Sequence, residues 1–336
     1  MDYYARCLYS FIVKILKTKT EFQNLKVDLI ADSGLKATNY QLIHYPFFDP
    51  YKATLPPKPL VPYIVTVPDL IPRQFKDHFP VGIKGEITWL LQKHRLKHSS
   101  GLITISHFSK HVIKDIIRYP EDKIFVTWLA PDNYLRPVKN RHKLTDIRKK
   151  YQLPSRFVMF CGDIYWSKNI PNLVRTCLSL KYPLVIVGQS AVSPAINHPW
   201  NQDLIWLQQQ KSPWLRLIGP VSKIDKKYLY NLATIYCQPS LAEGFGLPVV
   251  EAMKCGCPVV YSQESSLPEI MYFSGEYFDP YHPDSLRLAL EKIWTNSSCR
   301  KQLIASGLKR VQVFNWQYTA LQTLAVYQLA LIDHQK

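Results

Sequence analysis

The sequence predicts an α/β protein made of two doubly wound domains, and three observations carry that reading. Its 336 residues exceed one ordinary domain, and 47% hydrophobic residues supply a core for each half. From residue 156 onward, short runs that are apolar throughout alternate with helical stretches, which is the pattern of a parallel sheet covered on both faces. The first 130 residues repeat this alternation more loosely.

The chain opens on an amphipathic helical pattern over 3–19, with Leu8, Ile12, Ile15 and Leu16 set against Lys14, Lys17 and Lys19. That apolar stripe has two possible destinations: packing onto the N-terminal sheet, or a peripheral membrane contact. Strands are expected at 42–45, 63–67, 101–105 and 124–128, with helices at 84–98 and 109–117. The spacer Leu55-Pro-Pro-Lys-Pro-Leu60 reads as a loop. The polar, basic stretch 131–152 is the expected boundary. It divides the chain into a first domain at 1–140 and a second domain at 141–315. A final helix at 316–336 would return to the first domain. In the second domain, strands are expected at 157–161, 184–187, 215–221, 234–237 and 258–262, and helices at 170–180, 224–233, 247–254 and 285–294.

Composition narrows the function classes. Lysine and arginine number 42 against 25 acids, a formal charge of +17 that favours anionic partners. The charge is spread along the chain. Its densest clusters, 141–150 and 223–227, lack an interleaved aromatic motif and read as solvated faces, so no specific nucleic acid is expected. No run reaches the ~18 apolar residues of a membrane span. The short segment 8–16 is interrupted by Lys14 and lacks a small-residue cleavage site, so no signal peptide is expected. The seven cysteines include no CxxC pair, and Cys255-Gly-Cys257 has the wrong spacing for zinc, which points to a reduced, cytoplasmic chain. His94/His98 and His107/His111 sit at helical spacing without a third ligand, so structural or surface roles are expected and no metal.

The chemistry concentrates in Glu243-Gly-Phe-Gly-Leu-Pro-Val-Val-Glu251, directly after an expected strand. Strand, glycine loop and helix together expose backbone N–H groups to an anion, and the helix N-terminus adds partial positive charge. Gly244 and Gly246 permit close backbone approach, and Pro248 suits a first helical turn. Such a site suits a diphosphate, leaving the carboxylates for hydroxyl groups: Glu251 for a ribose, Glu243 for a neighbouring sugar. A plain strand-to-helix turn, its carboxylate favoured only by the helix dipole, fits the same spacing.

The block from Pro239 to Val260, followed by Ser265-Ser-Leu-Pro-Glu269 and Gly275-Glu-Tyr-Phe-Asp-Pro280, resembles the Glu-x7-Glu signature region of family 4 glycosyltransferases. Upstream, Cys161-Gly-Asp-Ile-Tyr-Trp-Ser-Lys168-Asn169 is similar to that family's donor-phosphate loop. Asp69-Leu-Ile-Pro72, Ile103-Thr-Ile-Ser106-His-Phe-Ser109 and Lys123-Ile-Phe-Val-Thr-Trp resemble its mannosyltransferase-like members. The resemblance implies the GT-B architecture, two Rossmann-like domains facing a cleft with the donor held by the C-terminal one. It further implies hexose transfer from a GDP- or UDP-sugar, with mannose favoured, to a glycan or lipid-linked acceptor. Retention of configuration without metal or other cofactor is implied too. Carried over residue by residue, the catalytic set is Glu243, Lys168 and Asp69. The donor-binding set is Gly162, Lys168, Asn169, Gly219, Val221, Glu243, Gly244, Phe245, Gly246, Leu247 and Glu251. Lys168 would neutralise the departing diphosphate.

Two departures from the pattern matter. The family places a histidine before the aspartate of the Asp-Leu-Ile-Pro element, and here that position is Pro68, which lacks both a side-chain donor and a backbone N–H. The family also opens on a strand and glycine-rich loop, whereas this chain begins at Met1-Asp-Tyr-Tyr, already inside the helix expected to follow. Both leave room for an alternative, a catalytically silent GT-B partner subunit in a polysaccharide-assembly complex.

Overall fold

A computed structural model describes residues 2–19, 26–28, 40–57, 61–282 and 284–335. The chain divides into two compact units, residues 1–130 with 314–336, and residues 131–313. In chain order unit 1 contains α1 (Asp2–Thr18), β1 (Ile43–Tyr45), β2 (Tyr63–Thr66), α2 (Ile71–Gln74), α3 (Gly82–Lys97), β3 (Gly101–Thr104), α4 (His107–Ile113) and β4 (Ile124–Val126). Unit 2 runs α5 (Arg141–Lys150), β5 (Val158–Cys161), α6 (Ile170–Ser179), β6 (Leu184–Val187), α7 (Gln189–Val192), α8 (Gln202–Gln209), β7 (Leu215–Ile218), α9 (Lys223–Leu232) and β8 (Ile235–Gln238). It continues with α10 (Leu247–Lys254), β9 (Val259–Ser262), α11 (Leu267–Met271), β10 (Glu276–Phe278), α12 (Ser285–Thr295) and α13 (Ser297–Arg310). The last helix, α14 (Trp316–Gln335), belongs to unit 1.

Among its described residues, unit 1 holds a four-stranded parallel sheet in the order β1-β2-β3-β4, with Ile43 opposite Tyr63 and Leu102 opposite Ile124. On one face α1 lies against α14. Leu8, Ile12 and Ile15 are buried with Ile64, Ile103, Trp316, Leu324 and Tyr327, and Leu16 packs beside them. The apolar stripe of α1 is therefore consumed by packing inside unit 1. A lipid contact through that stripe fails because it has no exposed apolar surface to offer. His44 ties this layer together, with Nδ1 2.7 Å from the Tyr327 hydroxyl and Nε2 2.7 Å from Thr66 Oγ1. Burial depresses its imidazole to about 3.

Two elements differ from the sequence expectation in ways that chemistry explains. The helix expected at 109–117 begins at His107, because Ser106 is extended and its hydroxyl accepts the Ser109 N–H at 3.0 Å, an N-cap. It then widens into a π-helical turn over Lys114–Arg118. The strand expected at 215–221 stops at Ile218. Pro220 has no N–H with which to continue a ladder, so Gly219 to Val221 form a loop leading to the Ser222 N-cap of α9. Within the basic stretch 131–152, Asn140 caps α5, whose Ile147 is buried.

Unit 2 holds six parallel strands in the order β10-β9-β8-β5-β6-β7. Every residue of β6, β8 and β9 is buried, as expected of strands covered on both faces. The chain winds outward from β5 through β6 to β7, then returns to β8 and winds the other way. β5 and β8 are thus neighbours from which the connections diverge. Such a switch point leaves a crevice at the carboxyl ends of the two strands, where doubly wound folds bind ligands.

Candidate functional site

The loops leaving β5 and β8 are the two that carry the motif residues. After β5, Gly162 takes φ +154°, and the chain passes through a 3₁₀ turn over Trp166–Lys168 to Asn169, which adopts a left-handed φ of 52° before α6. A Cβ on the neighbouring Gly188, at the end of β6, would lie 2.4 Å from the Gly162 carbonyl oxygen. That pair of loops can approach so closely only because position 188 has no side chain. After β8, the segment 239–246 leads into α10. Gly246 is its N-cap residue at φ +86°, with Pro248 in the first turn.

The two loops join through Lys168 and Glu243. Lys168 Nζ donates to Glu243 Oε1 at 2.6 Å, and the same oxygen accepts from Gln238 Nε2 and Ser240 Oγ, each at 2.8 Å. Glu243 is 7% exposed. A buried carboxylate needs such partners, since unpaired burial would cost several kcal/mol. The backbone of this loop is held as well. Leu241 N–H donates to Ser167 O at 2.8 Å, and Ser266 Oγ donates to Glu243 O at 3.0 Å. Ser262 Oγ donates to Ser240 O. Ser265 Oγ reaches Leu241 O at 3.3 Å. The Ser265-Ser-Leu-Pro-Glu269 segment thus braces the Glu243 loop.

Glu251 lies one helix further on, on α10, and is 5% exposed. Lys226 Nζ donates to its Oε1 at 2.7 Å, and the Tyr230 hydroxyl donates to its Oε2 at 2.9 Å. Partial burial works against the Lys226 charge, but Glu251 outweighs it and holds the ammonium above the ordinary lysine value. Burial pushes the nearby Cys161 thiol up to about 11, so it stays protonated near neutrality.

The structure thus brings Gly162, Lys168 and Asn169 to the same crevice end as Glu243, Gly244, Phe245, Gly246 and Leu247, with Glu251 behind them. Gly219 and Val221 follow β7, two strands away from β5 at the same sheet end, and α9 links that loop to Glu251 through Lys226 and Tyr230. Asp69 belongs to unit 1. There its Oδ1 accepts the Ile71 N–H at 3.1 Å at the start of α2, and Pro68 presents its carbonyl to Thr104 Oγ1 at 3.3 Å. Among the described residues, no three His, Cys, Asp or Glu side chains gather to hold a metal ion. The His94 and His98 ring centroids lie 4.4 Å apart, tilted by 51°, at the C-terminal end of α3.

Sequence reasoning missed Lys226, Tyr230, Gln238, Ser240 and Gly188. Lys226 sits in the cluster 223–227 that reads as a solvated face. The available signal was its i, i+4 spacing to Tyr230, which aligns both on one side of α9.

A doubly wound parallel domain with an anion-suited crevice at its switch point defines a nucleotide-binding class of α/β protein. Comparison makes this more specific: residues 144–310 match the family described as glycosyl transferases group 1, and they belong to it. O-antigen chain mannosyltransferase B of Escherichia coli is 32% identical over 238 residues, covering 68% of this chain and 60% of that protein's length. The chain therefore spans less than two thirds of this relative. Among solved structures, sucrose-phosphate synthase from Thermosynechococcus elongatus superposes with a TM-score of 0.67 at 20% identity, covering 86% of this chain and 73% of that one. Anabaena Alr3699/HepE in complex with UDP and glucose gives 0.66 at 16% identity, covering 80% and 72%. These likenesses show the GT-B fold. No helix among the described residues is long and apolar enough to cross a membrane.

Proposed function

We propose that the chain transfers a hexose, mannose first among the candidates, from a nucleoside diphosphate sugar to a glycan or lipid-linked acceptor. The observation that carries this reading is the Lys168–Glu243 pair at the switch point, 2.6 Å apart and anchored by Gln238 and Ser240. Unit 2 would hold the donor, with the acceptor assigned to the N-terminal unit. The diphosphate would lie at the N-terminus of α10, where backbone N–H groups and the helix dipole favour an anion. The Lys168 ammonium, now on Glu243 Oε1, would turn to the leaving phosphate as the sugar–phosphate bond loosens. Charge placed in advance where the transition state develops it is often the largest catalytic contribution. The three described hydrogen bonds to the Glu243 carboxylate all fall on Oε1, leaving Oε2 for a hydroxyl of the transferred sugar. Glu251, oriented by Lys226 and Tyr230, would accept from the ribose. Asp69 would act from unit 1. Retention, with the acceptor oxygen entering on the face the diphosphate leaves, and independence of metal are part of the same proposal. Mannose is favoured by the likeness to a mannosyltransferase, and a diphosphate donor by the UDP complex of a protein of the same fold.

Calorimetry with GDP, UDP and their hexose conjugates tests donor binding, and NMR of the product's anomeric proton tests retention. Expected are micromolar-range binding to one nucleotide and an unchanged anomer after EDTA treatment. An inverted product, or activity lost to EDTA and restored by manganese, would overturn the mechanism. Binding without any transfer, and Glu243→Ala indistinguishable from wild type, would favour a silent subunit.

A further inference from the structure

Among the helices of unit 1, α14 exposes the scattered Tyr318, Leu329 and Ile332, but α3 exposes four large aliphatics within nine residues. Its inner side is ordinary, with Trp89 and Leu96 in the core and Gln92 Oε1 accepting the Leu55 N–H at 3.1 Å. Its outer side carries Ile83, Ile87, Leu90 and Leu91 at 82%, 53%, 63% and 52% exposure. Spacings of three and four residues place all four on one stripe, continued by His94 and His98. A soluble helix normally turns charge outward, so an outward stripe of four large aliphatics marks an interaction surface.

The surroundings of the stripe are cationic. Residues 71–98 contain Arg73, Lys76, Lys84, Lys93, Arg95 and Lys97 against only Asp77 and Glu86. Glu86 is already paired with Arg73 at 2.6 Å. Lys84 and Lys97 are exposed on α3 itself, one at each end, and Lys76 and Arg118 are exposed nearby. The Lys93 ammonium is held below the ordinary lysine value by partial burial and by the cations Lys97, Arg118, Arg73 and Lys76 around it.

We propose that the outer face of α3 docks unit 1 on a membrane surface containing anionic lipid. The four aliphatic side chains would enter the boundary between headgroups and acyl chains, while Lys84, Lys97, Lys76 and Arg118 meet the lipid phosphates. A second copy of this chain is disfavoured as occupant, because it would bring the same positive charge to the contact. The proposal is independent of which sugar or nucleotide unit 2 binds. It also moves the membrane contact from α1, whose stripe is buried, to a helix whose stripe is open.

Sedimentation of the full chain with vesicles tests this. Phosphatidylcholine vesicles containing phosphatidylglycerol should bind at least roughly tenfold more protein than phosphatidylcholine alone, and the excess should shrink as salt rises. Ile83→Ser with Leu90→Ser should lower binding at least roughly tenfold, given the apolar surface each removes. Lys84→Glu with Lys97→Glu should abolish the anionic preference. All four positions are solvent-exposed, and circular dichroism melts identify a variant that fails to fold, for which the other pair stands in. Equal binding to both vesicle types, or folded variants that bind like wild type, would overturn the proposal. So would light scattering that shows a stable dimer or a complex with an acidic protein disrupted by the same substitutions.

Discussion

Lys168–Glu243 and Lys226–Glu251 are paired at nearly the same distance, 2.6 and 2.7 Å, and both carboxylates are buried, yet they are built differently. The first pair joins two loops that leave adjacent strands at the switch point, and its remaining partners, Gln238 and Ser240, are also at the end of β8. The second joins two helices, α9 and α10, and its other partner is Tyr230 on α9. A pair held by loops at a crevice can exchange a partner for a ligand. A pair held between packed helices is part of the frame. The difference predicts that the first pair governs chemistry and the second governs stability and the shape of the site.

The largest expected effect comes from Lys168→Ala. Loss of a charge placed for the leaving group should lower kcat about a hundredfold to a thousandfold while the thermal melt moves little. Donor turnover and calorimetry with GDP and UDP check it. An unchanged nucleotide affinity would remove Lys168 from the phosphate site and erase the contrast.

Lys226→Met should act mainly on stability, by about 3 kcal/mol, because it strands the buried Glu251 carboxylate. The pH dependence has a definite direction. The folded ammonium titrates above the ordinary value of 10.5, so its contribution is complete below that pH and fades as pH climbs through the folded value. Urea melts at rising alkaline pH should therefore show wild type and variant converging above about pH 10.5. A variant that keeps its stability but loses turnover as Lys168→Ala does would show that both pairs are catalytic.

Gly188→Ala probes the loop geometry without touching a charge. Its Cβ would fall 2.4 Å from the Gly162 oxygen, and the backbone must give way. A stability loss of about 1–3 kcal/mol is expected, together with weaker nucleotide binding. Binding and melting equal to wild type would mean that the close approach of the two loops does not matter.

The smallest effect is expected in unit 1. Pro68→His introduces a side-chain donor beside Asp69, and one neutral hydrogen bond is worth about 0.5–1.5 kcal/mol, up to roughly tenfold in turnover. The Pro68 carbonyl bond to Thr104 needs no proline, so the fold should tolerate the change. Kinetics of donor hydrolysis and transfer at equal folded concentration measure it. No gain would mean that the sugar hydroxyl finds its partner elsewhere.

Elements whose signals are local can be read directly from the sequence. Buried strands such as Leu184–Val187 are continuous β-branched and leucine runs. The switch from β8 through glycines into α10 is written in Glu243 to Glu251, and so is the identity of both carboxylates. Lys168 was legible because it ends a loop between a strand and a helix. Tertiary structure decided what depends on residues far apart in the chain. Lys168 and Glu243 are 75 residues apart, and Lys226 and Glu251 are 25 apart. Only the strand order that sets β5 against β8 and lays α9 beside α10 brings them together. It also decided which amphipathic helix keeps its stripe. The pattern of α1 is the more regular, but α14 returns to cover it, while the outer stripe of α3 stays uncovered. Apolar periodicity records that a face must be removed from water. It does not record which distant surface arrives to do so, because burial is non-directional and the partner is chosen by topology.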